Sequence, residues 1–460
     1  MIFMIGSSNK AIFRVLFCMG ILLVFHPSSL FCSESLIARP GEKSSLMDWA
    51  EYGNSKIDHG DIQALMWLMG GLRHHKMGNM EKAQSFLDRS VQTLKAKISS
   101  VGTTWPILEK IVKGYIHIGS YEKARDLTAK ILEPSHHAAA RLALMDLELT
   151  QLQQRDLNLI EKLRTASSMD ERQAVMQEML NFNSSAEILQ IILGFRDQKA
   201  RILAYAKGVR HLLDAGSKQA AGGLLKSLLD KEAQTNNKSH KGLVEVLYAN
   251  LLSQIQGKPE KNFKESGYKL IRSVKDPVLR VRFGLEALRS GDLGREQAIQ
   301  ELDSLAEDAY TIAYKDIRAQ VLGEISEQYA KFDDEARAFK MVAHIWEMLQ
   351  KTQEIILHDL IILQTTDILL NLDRFKDTHQ WADGVKNPNR RAHAWMEVLP
   401  YHAQAGDMAF AMKKAIELNH PIFSLASMIA CVYKSQDNLP EEIQAKLIQN
   451  ISKWSETQIQ

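Results

Sequence analysis

The chain has 460 residues, 45% hydrophobic and 24% charged, with 57 basic residues against 55 acidic ones. Those proportions exclude wholesale disorder, and a formal charge of +2 excludes the broad positive field that draws proteins to nucleic-acid backbones. The length exceeds one ordinary globular core and calls for two or three domains or an elongated stack of repeats. Proline is scarce, at ten residues, while Leu, Ala, Lys, Glu, Gln and Met abound, so an all-α chain is expected.

Residues 1–35 read as a secretory signal peptide. Lys10 and Arg14 form a basic start, Val15 to Phe25 is an unbroken apolar run, and His26-Pro27-Ser28-Ser29 ends it. A helix of that run spans about 16 Å, roughly half a hydrocarbon core, which disfavours a membrane span. Cleavage is expected after Ser35, with a cut after Cys32 as second choice; the alternative is an uncleaved anchor facing outward. Cys18 follows Phe17 and Cys32 follows Phe31, so neither suits lipidation. In either case the chain is expected in the periplasm or outside the cell, touching a membrane only through this segment if it is retained. Cleavage leaves Cys431 alone in an apolar run, a core thiol with no partner for a disulfide.

A lead-in segment, 36–60, precedes the main body, 61–435. There one phrase recurs: an apolar-periodic helix, a Gly-polar turn, then a second helix with an Ala near its start. The clear copies pair Gly78 with Ala83, Gly119 with Ala124, Gly216 with Ala221 and Gly406 with Ala411, always five residues apart. Weaker copies turn at Ser290-Gly291-Asp292, Lys331-Phe332-Asp333 and Asp373-Arg374-Phe375. The glycine ends one helix in a left-handed conformation. Asn79, Ser120, Ser217 and Asp407 are placed to cap the next helix. The alanine lets the two helices cross closely. One such pair cannot bury both its faces, so the pairs must stack. Residues 145–198 keep helical periodicity but lack a glycine turn, Thr235 to Gly242 reads as a long exposed connection or hinge, and Pro400 predicts a kink. Residues 436–460 read as a capping helix.

The phrase resembles the tetratricopeptide repeat. A large residue stands eleven before each glycine (Trp67, Leu108, Tyr205, Trp395), and an apolar residue stands twelve after three of them (Ile131, Leu228, Leu418), Ser90 departing. The pattern covers most of 60–435, with uneven spacings of 41 and 34 between successive glycines. The resemblance implies an α-α superhelix, a right-handed solenoid of antiparallel helix pairs whose first helices line a concave groove. It places His75, Lys76, Lys113, His117, Arg210 and Gln404 on that groove, a lining suited to an acidic peptide or a C-terminal carboxylate.

Short catalytic signatures are absent: no phosphate-binding glycine loop, no His-Glu-x-x-His, no Cys-x-x-Cys and no Gly-x-Ser-x-Gly. The doublets His74-His75 and His136-His137 point about 100° apart on a helix and cannot each chelate one metal, so they read as surface histidines. Asp333-Asp334-Glu335 reads as a helix start, and Trp67, Trp105, Trp346, Trp381 and Trp395 as core. No enzyme, cofactor or metal is expected. The leading reading is an exported scaffold or adaptor for a protein or peptide partner. The alternatives are an envelope enzyme of a helical class, related to peptidoglycan-active glycosidases, and a structural subunit that forms oligomers. Two carboxylates facing one another in a deep cleft would favour the enzyme.

Overall fold

The computed structural model describes residues 37–41, 43–96, 101–181, 184–258, 260–290, 293–372, 374–435 and 439–457. The expected signal segment, 1–35, lies outside them, as do Gly291, Asp292 and Asp373 of the weaker turns.

Among the described residues there are twenty-two α-helices and no strand. In chain order they are α1 (Leu46–Ser55), α2 (Gly60–Lys76), α3 (Met80–Ala96), α4 (Val101–His117), α5 (Tyr121–Thr128), α6 (Pro134–Thr165) and α7 (Met169–Asn181). Then come α8 (Ser184–Leu193), α9 (Gln198–Asp214), α10 (Lys218–Glu232), α11 (Lys238–Gln256), α12 (Lys261–Arg272), α13 (Pro277–Ser290) and α14 (Arg295–Tyr310). The last are α15 (Lys315–Lys331), α16 (Glu335–Gln350), α17 (Ile355–Asn371), α18 (Thr378–Gly384), α19 (Pro388–Gln404), α20 (Met408–Glu417), α21 (Pro421–Lys434) and α22 (Glu441–Thr457).

The turn glycines carry the geometry that the chain needs to reverse. Gly78, Gly119, Gly216 and Gly406 have φ of +78°, +77°, +75° and +90°, where a side chain would be strained. Ala83, Ala124, Ala221 and Ala411 are fully buried at the helix crossings that follow. In the weaker turn after α15, Asp333 takes the glycine's part at φ +55°, and Asp334 caps α16 by accepting from the Arg337 N–H. Asn79 and Asp407 cap their helices as well, but Ser120 and Ser217 do not. The Ser120 hydroxyl is held instead by Gln84. At the departing position, Ser90 is buried and donates to the Ala64 carbonyl at 2.6 Å, tying α3 to α2.

A second recurring device joins successive pairs. Arg201, Arg280 and Arg318 each sit four residues after a helix-capping position and reach back to a carbonyl six residues earlier, at Phe195, Val274 and Ile312. Arg201 and Arg280 also grip a carboxylate at the end of the next second helix: Glu232 (2.5 and 3.1 Å) and Asp308 (2.7 and 2.8 Å). Each fork thus locks three segments with charge-assisted bonds.

The helices form two layers. The first helices of the pairs, α2, α4, α6, α9, α11, α13, α15, α17, α19 and α21, each pack on the next, and α21 returns to α2. Most of the second helices touch only their own pair and the next, as expected of the outer layer of a curved stack. The superhelical stack therefore bends until its two ends meet. At the junction α1 lies against α21 and α22. Gly53 makes this possible, for a Cβ there would sit 2.9 Å from Ile451 and 3.2 Å from Ile429 and Leu425. The largest apolar core accordingly joins Trp49, Trp67 and Phe86 to residues from Val281 through Ile451, and two smaller cores fill the remaining arc.

Two local expectations are corrected. Thr235 to Gly242 is not a long connection: Asn237 caps α11 by accepting from Ser239 and His240, and Gly242 packs inside that helix against the backbone of Gly267. Pro400 lies inside α19, which runs on to Gln404. His74 is no surface histidine; it is buried edge-on against Phe86, with ring centroids 4.7 Å apart. The stretch without a glycine turn contains α6, about 48 Å long at 1.5 Å per residue. Its far half pairs with α7, and this hairpin leaves Leu157, Ile160, Met169 and Met176 exposed. No helix among the described residues is long and apolar enough to cross a membrane.

Candidate binding site inside the helical ring

The inner layer is tight enough for side chains of non-adjacent helices to meet. Lys199 of α9 reaches past α11 to Glu286 of α13 at 3.0 Å, and Arg289 of α13 lies 3.4 Å from the same carboxylate and 4.0 Å from Glu324 of α15. Burial raises the Glu324 carboxyl above its usual range, against the pull of Arg282 and Arg289. These charges pair with one another across three inner helices.

Where the chain ends meet, a cleft of about 410 Å³ opens between α2, α4, α19 and α21. Its floor is apolar, built by Leu65, Met66, Met69 and Leu72 of α2 and by Met396 and Pro400 of α19. Four basic side chains line it, Arg73, Lys76, Lys110 and Lys434, against the single carboxylate Glu397. The Lys434 ammonium stands 5.9 Å from the ring of Tyr401, also in the lining. The buried Tyr433 hydroxyl has no hydrogen-bond partner among the described residues. Pro400 has no N–H to give the Met396 carbonyl, so the helix is one internal bond short beside this cleft.

Asp367 of α17 lies within electrostatic reach of the cleft. Burial pushes its carboxyl up to about 6, the charge of Glu397 pushes the same way, and Lys110 opposes both. Asp367 is nonetheless exposed to solvent.

Of the residues placed on the groove by resemblance, Lys76 and Gln404 line this cleft. His75 and His117 meet each other elsewhere, at the turn edge, with ring centroids 4.9 Å apart. Lys113 is exposed and paired with Glu109 at 2.6 Å in its own helix. Arg210 belongs to α9, in another arc of the ring, where burial lowers its affinity for a proton and Asp214 opposes the effect. His75, Lys113, His117 and Arg210 are not among the residues that line the cleft.

Sequence reading missed Arg73, Lys110, Glu397 and Lys434. A signal for three of them was present. Positions nine before the turn glycines hold Met69, Lys110 and Glu397, and positions five before hold Arg73 and Tyr401. All five line the cleft, because steps of four and seven residues stay on one helix face.

Another hollow, about 910 Å³, lies on the outer rim beside Asp333 and Asp334. Its lining holds more carboxylates than cations, and several are paired: Asp334 holds Arg337 at 2.7 Å, Arg374 holds Asp377 at 2.7 Å, and Arg295 donates to the carbonyls of Phe332 and Asp333. The interior cleft is the better binding site because its cations outnumber its carboxylates. Among the described residues no three His, Cys, Asp or Glu side chains gather as ligands for a metal. No protein-family model matches the chain, and no curated protein matches it in sequence.

Proposed function

We propose that the chain is an exported, tetratricopeptide-like scaffold that holds an acidic, partly apolar stretch of a protein partner in the cleft where its ends meet. One observation carries the reading: Lys76, Lys110 and Lys434 stand around an apolar floor whose lining holds one carboxylate, Glu397. Carboxylates of a bound segment would pair with the ammonium and guanidinium groups, and the residues between them would cover Met66 and Met396. The left-handed turn glycines and buried crossing alanines support the family likeness. The signal-like residues 1–35 support an address in the envelope. The test is capture from an envelope fraction with the full chain and with a Lys76→Glu, Lys434→Glu variant. The expected partner is released by salt and is retained at least about tenfold less by the variant, as two reversed charges require. Equal retention by both proteins would remove the proposal.

A second reading rests on Asp367 and Glu397. One carboxyl held up to about 6, within electrostatic reach of another carboxylate, is a combination that glycoside hydrolysis uses as acid and base. Release of soluble fragments from peptidoglycan, abolished by both Asp367→Asn and Glu397→Gln, would favour it. An inactive parent chain would dismiss it.

A further inference from the structure

The turn edge of the first two repeats carries a donor set that the binding cleft does not use. The Nδ1 atom of His75, at the end of α2, lies 3.2 Å from the sulfur of Met80, at the start of α3. The ring of His117, at the end of α4, stands against the ring of His75 with centroids 4.9 Å apart and planes at 72°. Two consecutive glycine turns, at Gly78 and Gly119, bring these three residues from three helices to one spot. Met80 and His117 are exposed and His75 is half-buried, so the contact adds little to folding.

The repeat itself does not ask for this set. His75 stands three before its turn glycine, where the other clear copies have Ile116, Leu213 and Ala403. Met80 stands two after, where they have Tyr121, Lys218 and Met408. Here two imidazoles and a thioether come together.

We propose that His75, Met80 and His117 form a binding site for copper(I). Metal–nitrogen and metal–sulfur bonds of about 2.0 and 2.3 Å put two donors of one ion about 3.5 Å apart at a tetrahedral angle. The observed 3.2 Å needs only a slight opening. All three ligands are neutral, and one is a soft thioether. That combination selects a soft monovalent ion over zinc, which takes thiolate, imidazole and carboxylate ligands.

The test uses the full chain with its thiols alkylated, because Cys18 and Cys32 would otherwise compete for the ion. Copper(I) is titrated anaerobically against bicinchoninate, and native mass spectrometry counts the ions bound. One copper(I) per chain is expected. Replacing Met80 by Leu, or both His75 and His117 by Ala, should weaken binding at least tenfold, the least that loss of a direct ligand would cost. Zinc binding should be equal in the parent chain and in the Met80→Leu variant. These side chains are exposed or half-buried, so circular dichroism of each variant should match the parent. A parent chain that leaves all copper with the competitor overturns the proposal, as do variants that bind as the parent does.

Discussion

Closure of the ring makes a prediction that an open stack does not share. Ile451 in α22 is fully buried, and one of its methyls packs at Gly53 of α1. Replacing it by Ala removes three carbons, about 2.4 kcal/mol of transfer free energy at roughly 0.8 kcal/mol per methylene. The unfilled space brings the loss to about 3–4 kcal/mol. In an open row of repeats that loss would fray the C-terminal pair and decay toward its neighbours. In the closed ring it also weakens the first helix, some 400 residues away in sequence. Hydrogen exchange read by mass spectrometry should therefore quicken in residues 46–55 as well as in 421–434 and 441–457, while 238–256 on the far arc changes little. Quickened exchange confined to 388–457, with 46–55 unchanged, would refute the closure.

Three other outcomes follow. Because folding raises the Asp367 carboxyl to about 6, the folded chain holds that proton more tightly than the unfolded chain. Its contribution to stability is present below about pH 4 and is lost as pH rises through 6, so Asp367→Asn should raise the melting temperature at pH 7 and remove that fall. Gly216→Ala at φ +75° should lower stability by about 1 kcal/mol in urea unfolding, and Asp333→Gly at φ +55° should raise it by a smaller amount, since the second change relieves what the first imposes. Arg201→Met should cost about 3 kcal/mol, because it leaves the buried Glu232 carboxylate without its cation, with the Gln198 amide still donating to it; the double variant with Glu232→Leu should recover most of that loss in the same melts.

Several of these features were legible in the chain. Each turn glycine announces a left-handed residue because no other side chain is comfortable there, and Asp333 stands where a glycine was missing. The capping residues are local too, since their bonds span two or three positions. The serines at 120 and 217 show the limit of that reasoning: Ser120 found Gln84 in the neighbouring helix, a partner that spacing along the chain could not reveal. Asn237 shows the reverse, its short side chain turning an apparently loose polar run into a helix start. His74 and His75 are adjacent, yet one is core and the other faces its counterpart in the next repeat.

Helix content, pair-by-pair order and the places where the chain turns are local matters, set by periodicity within a dozen residues and by backbone preferences at single positions. Closure is different in kind. It depends on the small rotation between each pair and the next, summed over ten inner helices, and no single pair encodes the total. That sum decides that α1 meets α22, that Lys76 and Lys434 share a cleft, and that Asp367 falls within reach of Lys110 from the opposite end of the chain.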